Sequence, residues 1–100
     1  MVKHIVMWKF KDGVSEEQKE KMRRELPGDF EGLIDKVPSL KGVSFVSYPL
    51  DSSTHDLALF TEHDDAAGLS AYANHPEHQA LANSKVRPFT VERAALDYEV

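Results

Sequence analysis

The sequence contains no cysteine, which excludes disulfides, thiolate metal sites and a cysteine nucleophile. A basic excess is also missing: 12 Lys and Arg stand against 17 Asp and Glu, a formal charge of −5 with no basic block. A surface that tracks nucleic-acid phosphates is therefore not expected. No apolar run is long enough to cross a bilayer, so no membrane partner is expected. The start, Met1 to Trp8, carries one cation and no small-residue cleavage site. We read a cytoplasmic protein in its complete mature form. Internal repeats, low-complexity tracts and linkers are absent too, and residues 1–100 form one domain.

What is present is clear periodicity. From His4 to Lys11 the residues split into two faces, His4, Val6, Trp8 and Phe10 against Ile5, Met7, Lys9 and Lys11. That is a strand pattern with an aromatic core face carrying one histidine. Asp12-Gly13 is a turn, and Ser15 with Gln18 forms a capping box that opens a helix. Met22, Leu26, Phe30, Leu33, Ile34 and Val37 lie along one stripe of it. Pro27-Gly28 interrupts the stripe, and proline inside a helix costs about 3 kcal/mol, so a kink or two shorter helices are expected. The charged residues of Glu16 to Arg24 read as a solvated helix face.

After the loop 38–42 a second strand runs from Val43 to Tyr48 and a third from about Asp56 to Glu62, close enough to form an antiparallel hairpin. Asp64 or Asp65 caps a second helix with Ala66, Leu69 and Tyr72, and Pro76 opens a further helical segment ending near Pro88. The last strand, about Thr90 to Glu99, alternates Val91, Arg93, Ala95 and Asp97 with Glu92, Ala94, Leu96 and Tyr98. The order β-α-β-β-α-β predicts an α+β, ferredoxin-like domain: a four-stranded antiparallel sheet with its helices on one face. Apolar residues on both faces of the first strand predict that the other sheet face is covered by a second copy, making a homodimer.

Five segments of this chain resemble the stress-responsive dimeric α/β-barrel (Dabb) domain family. They are Lys3 to Phe10, Val37 to Val43, His55 to Phe60, the Tyr72-Ala73-Asn74-His75-Pro76-Glu77-His78 stretch, and Asp97-Tyr98-Glu99. The resemblance spans essentially the whole chain. It implies two ferredoxin-like protomers packed sheet to sheet as a barrel. Many members have no assigned reaction, some are heat-resistant plant proteins, and one plant member is a polyketide cyclase. Matched position by position, Tyr72 and His78 correspond to that cyclase's catalytic tyrosine and histidine, and His4 and His55 to histidines lining its pocket. The chain departs from it at Pro27-Gly28 and in Leu81 to Val86.

The residues themselves leave two readings open. If a helix starts at Pro76, its dipole favours a neutral His78 that accepts a proton. With Tyr72 it could take a proton α to a carbonyl and stabilise the enolate, as in an aldol or Claisen-type cyclisation. Alternatively His78 caps the helix or bonds a carbonyl, and Tyr72 is a core aromatic with its hydroxyl at the edge. His4, Trp8, His55 and His75 are the expected pocket residues. His4 and His55 are expected to approach across neighbouring first and third strands. His75, Glu77, His78 and His63 cluster in sequence, but not with the spacing of helical zinc sites, so no metal is expected. No cofactor is expected either; haem, bound by other dimeric barrels, has no motif here. The expected partner besides a second copy is a small apolar or carbonyl-bearing molecule.

Overall fold

The computed structural model describes all 100 residues. Its order is β1 (Val2–Phe10), α1 (Glu16–Glu31), β2 (Gly42–Val46), β3 (Leu57–His63), α2 (Ala66–Ala73), α3 (Pro76–Leu81) and β4 (Thr90–Glu99). A short 3-10 turn, Gly32–Asp35, follows α1. A wider helical turn, Ala82–Val86, and a second 3-10 turn, Arg87–Phe89, extend α3. The strands lie in the order β2-β3-β1-β4, every neighbouring pair antiparallel. This is the expected ferredoxin-like arrangement, with β2 and β3 each within two residues of the predicted limits.

Local chemistry sets the ends of these elements. Gly13, at φ 86°, makes the turn after β1 in a conformation that glycine adopts without a side-chain clash. The Ser15 hydroxyl accepts the Gln18 N–H at 3.1 Å, and Glu16 and Glu17 follow in the first turn of α1, where the helix dipole favours negative charge. Asp65 caps α2 in the same way, accepting the Gly68 N–H at 2.7 Å.

Instead of dividing into two shorter helices, α1 continues through Pro27. Proline there has no N–H for the carbonyl of Arg23, four residues back. The hydroxyl of buried Ser47, just after β2, donates to that carbonyl at 2.9 Å. A tertiary hydrogen bond thus replaces the missing helical one. Ser47→Ala strands a buried acceptor, which costs about 1–3 kcal/mol and should lower the midpoint of thermal unfolding by about 4 °C or more. An unchanged midpoint in calorimetry would show that the bond contributes nothing.

One core fills the space between helices and sheet. Val6, Trp8 and Phe10 of β1 and Leu57 and Leu59 of β3 pack against Met22, Leu26 and Phe30 of α1. Phe45 of β2 stacks on Phe30, ring centroids 5.5 Å apart. The opposite sheet face has no cover from its own chain. Met7, Val46, Phe60, Leu96 and Tyr98 are all exposed there, Leu96 by 61%.

β4 departs from simple alternation. Met7 pairs with Ala94 but Lys9 pairs with Val91, so one extra residue bulges from β4. Glu92 takes it up with φ 51°, and Lys9 holds its carboxylate at 3.0 Å. Val91 therefore shares the Lys9 face, while Arg93, Ala95 and Asp97 remain on the helix side with Val6 and His4. The expected placing of Val91 with those three is corrected by this bulge.

Candidate active site

The break between α2 and α3 builds the site. Its first half is Tyr72, in the last turn of α2 and 1% exposed. α2 ends at Ala73, leaving carbonyls that a helix end cannot satisfy internally. Pro76 then starts α3 at a position where its missing N–H does no harm. The next turn folds back: His78 Nδ1–H donates to the Ala73 carbonyl at 2.9 Å, and Gln79 Nε2 donates to the same oxygen at 2.6 Å. This bond fixes the tautomer, because a nitrogen that donates to a carbonyl carries the proton. Nε2 of neutral His78 is then the proton acceptor. Both sequence readings of His78 are thus compatible, since it bonds a carbonyl through one nitrogen and keeps the other free.

Tyr72 is ringed by imidazoles. Its ring centroid lies 4.4 Å from that of His78, 5.0 Å from His63 and 6.4 Å from His4. Its hydroxyl is buried and bonds no protein group. Buried hydroxyls seldom go without a partner, so this one marks a place where a ligand atom would be stabilised. His63 has no such capacity: fully buried, it donates from Nδ1 to the Ser39 carbonyl and accepts the Thr61 hydroxyl at Nε2, both at 2.9 Å. It is a satisfied core histidine. The His4 ring is held through Nδ1 by the Asp97 carboxylate of β4.

Between helices and sheet lies a cavity of about 190 Å³, lined among others by His4, Trp8, Tyr72, His78, Arg87 and Arg93. A larger depression of about 310 Å³ beside α1 contains Lys85. That ammonium is already held by Glu25 and Asp29, at 3.0 and 2.9 Å. No group of three or more His, Asp or Glu is arranged to hold a metal ion.

Two expected pocket residues lie elsewhere. β1 and β3 are neighbours, but their antiparallel register sets His4 opposite Thr61 and Trp8 opposite Leu57. His55, before Leu57, therefore sits at the far end of the sheet from His4, where its Nδ1 meets the Thr54 hydroxyl at 3.0 Å. His75 is the N-cap of α3, its Nδ1 accepting the Glu77 N–H at 3.1 Å. Arg87, Arg93 and Asp97 were not anticipated at the site; alternation alone placed the last two on one face, without saying what that face meets.

Burial sets the electrostatics. Desolvation raises the Tyr72 hydroxyl far above the usual tyrosine range, so it stays a neutral donor. Desolvation also lowers His78 and His63 below the ordinary 6.5, favouring neutral rings at pH 7. Because both folded-state values are depressed, the stability they contribute is present above about pH 6.5 and is lost as the pH falls through the folded-state values. The unfolding midpoint should drop between pH 7.5 and 5.5, and His63→Gln should flatten that drop. An equally steep drop in the variant would remove His63 from the account.

The fold and this buried tyrosine–histidine pair define a ferredoxin-like α+β domain with a small cavity between helices and sheet. The model of the Stress responsive A/B Barrel Domain (Dabb) matches residues 2–100, and the chain belongs to that family. It is similar to a dimeric, ferredoxin-like protein of unknown function from Bacteroides fragilis, at 31% identity and a TM-score of 0.90, covering 99% of this chain and 95% of that one. A second dimeric ferredoxin-like protein of unknown function, from Thermobifida fusca, is 25% identical with a TM-score of 0.79, covering 99% and 90%. A hydroxynitrile lyase from Passiflora edulis shares the fold at 17% identity and a TM-score of 0.75, covering 99% and 92%. No curated protein matches the chain. No helix is long and apolar enough to cross a membrane.

Proposed function

We propose that this protein binds a small carbonyl compound in the Tyr72–His78 cavity and abstracts a proton beside the carbonyl, the opening step of a lyase or cyclase reaction. The observation that carries the reading is the pairing of a neutral His78, its Nδ1 committed to Ala73, with a buried Tyr72 hydroxyl that has no protein partner. In the step, His78 Nε2 takes the α-proton and the C–H electron pair becomes the enolate. The Tyr72 O–H donates a hydrogen bond to the developing oxyanion without losing its proton.

Size narrows the substrate. A cavity of about 190 Å³ lies below the roughly 300–1,000 Å³ of sites for drug-sized ligands and nearer the roughly 150 Å³ that holds benzene. A single-ring or short-chain compound fits better than an extended polyketide. The Passiflora protein is evidence that this fold can host a lyase. We also infer that the chain works as a homodimer, joined through the exposed apolar sheet face, as the dimeric neighbours support.

The test is exchange of α-protons into D2O, followed by proton NMR, for a panel of small ketones and 1,3-dicarbonyl compounds. The protein should accelerate exchange at least 10²-fold over buffer for one of them. No acceleration across the panel would leave only binding of small apolar molecules.

A further inference from the structure

We propose that the ligand of this cavity is an anion, a small carbonyl compound whose carboxylate is held by Arg93. This rests on the carbonyl reading given above and names the substrate class. The argument begins with charge. The protein carries a formal −5, yet the cavity lining includes two guanidiniums, Arg87 and Arg93, and no Asp or Glu. A lining of one sign, opposite to the net charge of the chain, selects for ligands of the other sign.

The two arginines are not equivalent. Arg87 is occupied, donating to Gln79 Oε1 at 3.1 Å and to Asn83 Oδ1. Arg93 forms no ion pair or hydrogen bond with the protein; on β4, Lys9 takes Glu92 and His4 takes Asp97. Asp97 also lies four residues along the strand, about 13 Å away.

The backbone places Arg93 deliberately. Glu92 adopts φ 51°, an uncommon conformation for a residue with a side chain. It makes the bulge that restores register, leaving Arg93 on the cavity side while Val91 turns to the other face. Bulges of this kind commonly re-aim a side chain beside an active site. The charge of Arg93 reaches the pair itself: it opposes the rise that burial imposes on Tyr72 and adds to the lowering that burial imposes on His78. A planar guanidinium fork fits a carboxylate bidentately. A keto acid would then set its carboxylate on Arg93 and its carbonyl toward Tyr72.

The probes are 4-oxopentanoate and its methyl ester, titrated into the full-length protein and followed by ligand NMR. Wild type should bind the keto acid at least tenfold more tightly than the ester, a preference that shrinks with added salt. Arg93→Met should abolish the preference, and Arg93→Lys should restore part of it. Equal binding of acid and ester by wild type, or an undiminished preference in Arg93→Met, overturns the proposal. Inorganic phosphate bound through Arg93, with the keto acid excluded, overturns it in favour of a phosphate ligand. Arg93-dependent keto-acid binding supports the carboxylate site whatever the exchange panel shows, and binding of neither probe overturns the carboxylate proposal while the exchange panel decides the catalytic reading separately.

Discussion

Replacing His78 with alanine should reduce accelerated α-proton exchange by 10²- to 10⁴-fold, the range contributed by a positioned general base. The structure explains why the loss should be that large. The His78 ring lies 4.4 Å from that of Tyr72, centroid to centroid. His63 has both nitrogens committed, and His4, held by Asp97 through Nδ1, lies farther off, its ring 6.4 Å from that of Tyr72. The fold should tolerate the change, because Gln79 still donates to the Ala73 carbonyl at 2.6 Å. Added imidazole should restore part of the rate in His78→Ala and nothing in wild type. Tyr72→Phe separates the two roles: it removes an oxyanion donor, worth about 10²–10³-fold, and imidazole should not rescue it. The rate should rise with pH through a value below 6.5, since burial lowers His78, and then stay level. Full activity in His78→Ala would end its assignment as the base.

How much of this was legible in the sequence depends on whether the signal was local. The core face of β1 follows from alternation, the caps at Ser15 and Asp65 follow from side chains that bond within a turn of themselves, and the start of α3 at Pro76 follows from a ring whose missing N–H does no harm there. Tyr72 and His78 share that locality, because the break at Pro76 makes the chain fold back over two or three residues. Non-local features were hidden. Nothing near Pro27 reveals that Ser47, 20 residues later, satisfies the Arg23 carbonyl. Adjacency of β1 and β3 was readable, but their register was not. Whether His55 meets His4 depends on register, and the observed pairing of Trp8 with Leu57 keeps them apart. The bulge at Glu92 shifts which residues share a face, so Arg93 became visible as part of the site only in three dimensions. His75 was read as part of a functional cluster because proximity in sequence does not distinguish an N-cap from a ligand-facing side chain.

The apolar sheet face supplies the other large expected effect. In solution the chain should run at about twice 11.3 kDa. Phe60→Asp combined with Leu96→Asp should return it to the monomer mass at micromolar concentration. Phe60 is 39% exposed and Leu96 61% on the isolated chain, and both project from the face opposite the core, so neither change disturbs the packing under the helices. Stable pairs of proteins bury roughly 1,200–2,000 Å² in total, and two carboxylates per protomer inside such a contact would each cost several kcal/mol unless paired. Every 1.4 kcal/mol weakens association about tenfold, so the combined change should raise the dissociation constant by well over 10³. Deleting Asp97-Tyr98-Glu99 with Val100 should act less cleanly, because it removes Tyr98 from the face, the Asp97 carboxylate from His4 and the Val100 N–H from the Met1 carbonyl. Weaker dimerisation with reduced exchange would be the expected result of that deletion, whereas Phe60→Asp with Leu96→Asp should leave the cavity residues in place. A wild-type mass of 11.3 kDa by sedimentation would refute the dimer, and the exposed face would then need a different partner.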